Sequence, residues 1–367
     1  MDLVLFVALA RGLGGSTRSL VSVMSHLRGR TRCVLAAPDE GMFVSLIDEK
    51  ALGEGRVALP GPKNRALRRL SRIGAALRIC RWTLRHRREL TAIHANGPEE
   101  FNVAALAALV GGVRLVVWSH ARDVSPWSRG LSVVQRKMLG RKLRWAAVSA
   151  EAAGVLSDAG IVDSDEVTIV PNPIDPAEVC GEERRVETPP RIGYLGSDAT
   201  YKGFRMLPDV VARISDVEAR WLLFTNERSS DNAEIWQQLR RLGETNLLEF
   251  RGKQSDVRAI YAECDLVFVP SLDESFGRVV AEAMMNGIPV VASDLPPLRR
   301  LIGDDEAGLL FEPCNVGAAV DALSRLAREP ELRRELGEVG RSRAEVFDPR
   351  SVVGTLEGLY GLGLGRD

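Results

Sequence analysis

The chain has 367 residues, 45% of them hydrophobic and 27% charged, with 49 Lys+Arg balanced by 49 Asp+Glu. That length exceeds what one hydrophobic core usually serves, so two domains are expected, and the composition excludes a disordered or fibrous chain. The neutral total hides an asymmetry: residues 1–180 carry 25 basic and 17 acidic side chains and the remainder 24 and 32, which points to different partners for the two halves.

The start, "MDLVLFVALARGLGG", has no basic region ahead of its apolar run and reads as a first strand, not a leader. Short apolar runs at 3–9, 32–38, 91–97, 113–119, 145–150 and 167–172 read as buried parallel strands. Helical candidates alternate with them at 15–28, 63–90, 99–110, 128–143 and 150–159. The stretch 174–191 is charged, Pro-containing and non-periodic, and marks a linker. After it the alternation restarts. Strands are expected at 191–196, 220–225, 247–252, 266–271, 288–293 and 307–312, with helices near 202–215, 230–242, 255–263, 276–286 and 316–328. Two such series give an α/β protein of two Rossmann-like, doubly wound parallel-sheet domains with a cleft between them. The expected boundaries are 1–175, a linker at 176–190 and 191–347, with a C-terminal helix at about 348–367 packing back on the first domain.

Cys33, Cys80, Cys180, Cys264 and Cys314 are scattered without metal-type spacing and read as reduced thiols of a cytoplasmic protein. No stretch reaches the roughly 18 apolar residues that a spanning helix needs.

Three stretches carry chemistry. "RGLGGST" (11–17) follows the first strand and opens a helix, so its backbone can approach an anion or a sugar. With Asp39 and Glu40 near the end of the second strand it is also a partial dinucleotide fingerprint, and a tight turn without ligand is the plain alternative. "SLDESFGRVVAEAMMNGIPVVASD" reads as loop, helix, glycine stop and strand. Ser275, Phe276 and Gly277 are expected to form the first helical turn, whose N–H groups suit a diphosphate. Glu274 stands just before it, and Glu282 about 80° round the helix, so both carboxylates are expected to face one cleft. "KNRALRRLSRIGAALRICRWTLRHRREL" packs ten Lys/Arg into residues 63–88 with interleaved leucines. It reads as a surface helix or as an amphipathic face for an anionic membrane. Trp82 is its one Trp, Tyr or Phe, so it lacks interleaved stacking aromatics, and nucleic acid is not expected as a partner.

Here a resemblance becomes plain. The segment 271–294, "YLGSDATYKGF" (194–204), "VTIVPNPID" (167–175), "EAGLLFEP" (306–313) and "GLGGSTRSL" together resemble the retaining GT-B glycosyltransferases of family 4 over most of the chain. The resemblance implies transfer of a sugar from a nucleotide-diphosphate sugar to an acceptor hydroxyl on a glycan, a lipid-linked saccharide or a small molecule. It implies Lys202 on the donor phosphates, Glu274 on the transferred sugar and Glu282 on the ribose, with Ser275, Phe276 and Gly277 lining the donor. It also implies that His120 faces the transferred sugar and that Gly14 and Gly15 approach the donor from the first domain. One departure stands out. Where many members carry Gly-Arg this chain has Gly196-Ser197, leaving Arg205 as the nearby cationic substitute. No cofactor or metal is expected: the Asp-x-Asp at 163–165 sits in a polar turn. Alternatives are a hydrolysing sugar-nucleotide epimerase, an inactive homologue, and a nicotinamide oxidoreductase built on the glycine turn.

Overall fold

Short apolar runs flanked by turn formers bury both faces of a strand, which is the condition for a parallel sheet covered by helices. The computed structural model describes the chain except residues 11, 13, 61–67, 123–129, 182–188, 215–216, 228–229, 246, 253, 255 and 364–367, and also leaves the side chains of 68–70, 130–132 and 230 undescribed. Residues 63–67 of the basic segment therefore lie outside the described residues. The chain divides into two compact units, Met1–Pro173 with Pro349–Asp367, and Ile174–Asp348.

The first unit runs β1 (Leu3–Val7), α1 (Gly15–Leu27), β2 (Arg32–Pro38), α2 (Met42–Glu49), β3 (Gly55–Leu59), α3 (Arg68–His86), β4 (Leu90–Ala95), α4 (Phe101–Gly111), β5 (Arg114–Ser119), α5 (Gly130–Leu139), β6 (Leu143–Ala147), α6 (Ala150–Asp158) and β7 (Val167–Ile169). Its seven strands are parallel, in the order β3-β2-β1-β4-β5-β6-β7. The second unit runs α7 (Pro176–Val179), β8 (Arg191–Leu195), α8 (Leu207–Arg213), β9 (Arg220–Phe224), α9 (Ala233–Gly243), β10 (Leu248–Phe250), α10 (Val257–Ala262), β11 (Leu266–Val269), α11 (Arg278–Met285), β12 (Val290–Ser293), α12 (Pro296–Ile302), β13 (Gly308–Phe311), α13 (Val316–Arg328) and α14 (Pro330–Ala344). Its sheet is also parallel, in the order β10-β9-β8-β11-β12-β13. A last helix, α15 (Pro349–Tyr360), packs on α1, β4 and β5 of the first unit.

Several elements differ from the sequence pattern for physical reasons. β3 is an edge strand whose Gly55 and Arg56 are exposed, so it offers too few apolar residues to signal a strand. α12 opens on Pro296-Pro297, which reads as a turn although proline suits the first helical turn. α8 starts at Leu207 instead of 202, because residues 200–206 form two 3-10 turns broken at Gly203, whose φ is 66°. α3 ends at His86, four residues short of the expected helix.

Each sheet has its own apolar core. In the second unit Trp221, Trp236, Phe204, Phe268 and Phe311 anchor it. In the first, Phe6, His94, Trp118 and Tyr360 form a buried aromatic cluster. There the Tyr360 hydroxyl and His94 Nδ1 share a hydrogen bond of 2.8 Å, which ties α15 to the middle of the sheet. Burial pushes the His94 imidazole down to about 3, so it stays neutral where the unfolded chain, at about 6.5, takes up a proton. This contribution to stability is complete above pH 6.5 and is lost progressively as the pH falls toward 3. His94→Gln should flatten the acid limb of a stability-versus-pH profile. Tyr360→Phe, which leaves His94 Nδ1 without this partner, should lower stability at pH 7 by about 1–3 kcal/mol in chemical denaturation.

Candidate functional site

In the second unit the strand order reverses between β8 and β11. Connections leave these neighbours in opposite directions, which opens a crevice beyond their carboxyl ends. The loop after β8 carries Lys202 and the loop after β11 carries Glu274. The Leu272 N–H donates to the Tyr201 carbonyl at 2.7 Å and joins the two loops. Gly203 lies against Pro270 so closely that a Cβ there would run into the Pro270 carbonyl. Its positive φ and this contact together require glycine.

The clamp brings Lys202 Nζ to 2.6 Å from Glu274 Oε1. The side chains are 23% and 10% exposed, so the pair is shielded yet reachable from solvent. The Ser271 hydroxyl donates to the same carboxylate oxygen at 2.8 Å. The Lys202 ammonium also sits 5.4 Å from the centre of the Tyr201 ring.

The start of α11 differs from expectation. Gly277, with φ 91° and ψ 49°, caps the helix, and the first turn is Arg278–Val280, not Ser275–Gly277. The left-handed cap is the cause: it turns the chain just before the helix, and a Cβ on Gly277 would strike Leu298. Glu274 is accordingly on the loop, and the angle round the helix between it and Glu282 does not apply. The donor-type N–H groups belong to residues 278–280, since the first turn of a helix finds no acceptor within the helix. Ser275 is half-buried, and the buried Phe276 ring meets Phe347 edge-on, with centres 5.4 Å apart.

Glu282 is buried on α11, with Arg278 Nε donating to Oε1 at 2.6 Å and the Tyr261 hydroxyl to Oε2 at 2.9 Å. Burial, and then the Glu282 charge, raise the Tyr261 phenol well above its ordinary value, so it remains a donor. After β8, Gly196 and Ser197 are half-buried, and the Ser197 carbonyl accepts the Tyr194 hydroxyl at 2.8 Å. Arg205 is exposed, with Nε on Asn232 Oδ1 at 3.2 Å. Asn232 in turn donates to the Asp198 carbonyl.

In the first unit the order reverses between β1 and β4. Gly14 and Gly15 are exposed where α1 begins, and the Gly14 N–H donates to the Thr17 hydroxyl at 2.8 Å. Ser19 on α1 donates to Asn172 Oδ1 at 2.7 Å. His120 follows β5 directly, half-buried, its ring 4.5 Å from that of Trp118. The structure thus joins Lys202 to Glu274 directly, sets Glu282 against Arg278 and places Arg205 on Asn232. Ser271, Tyr261 and Arg278 were not singled out from sequence. For Arg278 a signal existed, its four-residue spacing from Glu282 on one helix face. Among the described residues no group of three or more His, Cys, Asp or Glu could hold a metal ion.

The sequence pattern of Glycosyltransferase Family 4 matches residues 13–178, and that of Glycosyl transferases group 1 matches residues 180–343. The chain belongs to this glycosyltransferase family. It is 28% identical over 367 residues to a phosphatidyl-myo-inositol mannosyltransferase of Mycobacterium leprae, covering 95% of this chain and 92% of that one. It is 30% identical over 225 residues to an MMP alpha-(1->4)-mannosyltransferase of Mycolicibacterium hassiacum, covering 59% of this chain. There the match spans 53% of the relative, about half its length. The structure of Anabaena HepE in complex with UDP-glucose superposes with a TM-score of 0.81 at 20% identity, covering 99% of this chain and 100% of that one. That likeness establishes the fold, which is GT-B.

The Gly203 contact yields a direct test. Gly203→Ala should destabilise the second unit by about 2–4 kcal/mol, through positive-φ strain and the collision with Pro270, as read by chemical denaturation.

Proposed function

We propose that the protein is a retaining glycosyltransferase that moves a sugar from a nucleotide-diphosphate sugar to an acceptor hydroxyl. The observation that carries this reading is the Lys202–Glu274 pair at the β8/β11 reversal, held by loops from both strands in a chain of this family. The donor's diphosphate meets the first-turn N–H groups of α11, where a helix favours an anion. Lys202 neutralises charge as the diphosphate departs. Glu274 accepts hydrogen bonds from the transferred sugar, and Glu282 from the ribose.

The bond from the anomeric carbon to phosphate oxygen breaks, and one to the acceptor oxygen forms on the same face. The acceptor proton passes to the leaving phosphate. Catalysis then rests on positioning and charge stabilisation, without a metal or an organic cofactor. His120, Gly14 and Gly15 keep the sugar- and donor-contacting roles the resemblance gives them, and Ser275, Phe276 and Gly277 shape the loop that admits the donor. The relatives named above include mannosyltransferases, and the Anabaena protein holds UDP-glucose, which supports a hexosyl donor.

A thermal-shift panel of UDP-, GDP-, ADP- and dTDP-sugars should show selective stabilisation by one nucleotide. No shift with any of them would sink the donor reading. Lys202→Ala and Glu274→Gln should each lower kcat/KM by roughly 100- to 1,000-fold while the fold persists. Transfer should survive EDTA, and His120→Ala should reduce it.

An amphipathic face favours a membrane-borne acceptor. On α3 the apolar Ile73, Leu77 and Leu84 are exposed, Leu77 by 64%, between arginines that include Arg78, Arg81 and Arg85. Such a face lies on anionic lipid, adding apolar burial to charge attraction. Among the described residues no helix is long and apolar enough to cross a membrane. The protein should co-sediment with phosphatidylserine vesicles and less with phosphatidylcholine, and Leu77→Asp should weaken the binding. Equal binding to both would count against contact through this face.

A further inference from the structure

A cavity of about 620 Å³ opens in the second unit between α14 and the amino ends of β11 and β12, where Asp265 precedes one strand and Gly287 the other. The Lys202–Glu274 pair stands beyond the carboxyl ends of the same sheet, so the two places are distinct.

Two buried ions in the wall of the cavity are incompletely satisfied. Arg333, on α14, is 7% exposed. Its Nη1 donates to the Leu326 and Ala327 carbonyls at 2.5 and 2.8 Å and so closes the last turn of α13. Its Nε and Nη2 have no hydrogen-bond partner among the described residues. Asp265 accepts the Arg191 backbone N–H and Nε on Oδ2, while its Oδ1 has no donor. Burial draws the Arg333 guanidinium below its ordinary value, and the nearby Asp265 charge opposes this.

Capping α13 accounts for Nη1 alone. The Nε–Nη2 edge left over is a flat two-donor fork, the shape that fits two oxygens of one oxyanion. Buried polar groups are nearly always paired, and an open fork in a cavity wall calls for a partner. The carboxylates nearby are already engaged: Asp265 with Arg191, and Glu331 and Glu338 with Arg334. Arg341 also borders the cavity and donates through Nη2 to the Asn286 carbonyl, which adds a second guanidinium without a carboxylate. Glu345 and Ser342, both exposed, complete the rim with oxygens that accept from hydroxyls. A bare anion leaves Asp265 Oδ1 unmet, whereas a hydroxyl beside the anion supplies a donor.

We propose that this cavity binds a sugar phosphate, with the phosphate on the Arg333 fork and beside Arg341 and the hydroxyls toward the acidic and hydroxyl side chains around them. The volume lies in the range of small-molecule pockets. This site goes beyond the transfer reaction and does not depend on the donor reading.

Calorimetry on the full chain with glucose 6-phosphate, mannose 6-phosphate, glucose and inorganic phosphate tests it. One of the sugar phosphates should bind more tightly than glucose and than inorganic phosphate. Arg333→Gln should lower that affinity by about 10- to 100-fold. Because Arg333 also caps α13, a second variant guards against a fold that fails: Ser342→Trp keeps every charge, starts from an exposed position and fills the cavity, and it should abolish binding with the melting temperature unchanged. Lys202→Ala should leave the affinity as it was. Binding that vanishes in Lys202→Ala and survives in Arg333→Gln and Ser342→Trp would put the ligand in the donor crevice and overturn the assignment. So would equal affinity for inorganic phosphate, or no binding of either sugar phosphate to the unaltered protein at millimolar concentration.

Discussion

The Lys202–Glu274 pair of the second unit depends on one close approach, Gly203 against the Pro270 carbonyl. β8 and β11 are neighbours in the sheet, but their connections run to opposite edges, and loops at such a reversal diverge. Only a residue without a side chain, in the left-handed region, lets the β8 loop fold back onto the end of β11. The hydrogen bond from Leu272 to Tyr201 then fixes the register of the two loops. A lysine side chain is long and loses much rotamer freedom when held still. Anchoring its backbone on the partner loop lets Lys202 reach Glu274 without wandering.

The site also satisfies its charges in a definite pattern. Glu274 is held by Lys202 and Ser271, Glu282 by Arg278 and Tyr261. Carboxylates withdrawn from water need such partners, since an unpaired buried charge is costly. Donor binding on this scheme exchanges partners instead of neutralising bare charges. If the donor binds as proposed, its diphosphate competes with Glu274 for Lys202.

Much of this was legible in the sequence, and the reason is burial. Twelve strands announced themselves as apolar runs because both faces of a parallel sheet are covered, whereas β3 was silent because an edge strand with Gly55 and Arg56 exposed has no such run. Lys202 and Glu274, both singled out in the sequence, meet in the structure. What was not readable was conformation at single residues. The left-handed Gly277 moved the helix start from 276 to 278 and with it the amides of the helix's first turn. Gly203 likewise split one expected helix into two short turns before α8. A glycine in a sequence marks freedom, and only the packing of Leu298 and Pro270 decides how it is used.

The glycine turn of the first unit shows the same limit at the level of function. Its Gly-x-Gly-Gly pattern after β1 fits a dinucleotide fold as well as a sugar-nucleotide one, because both place a helix N-terminus at a strand end. Asp39 and Glu40, the acidic residues a ribose contact would need, are exposed beyond the end of β2. The turn alone therefore decides nothing. What separates the readings lies in the second unit, where Lys202 and Glu274 meet on the two loops of the β8/β11 reversal and Glu282 pairs with Arg278 on the helix that follows. A pair of Rossmann-like sheets supplies places for anions, and the side chains gathered at those places decide which chemistry is done there.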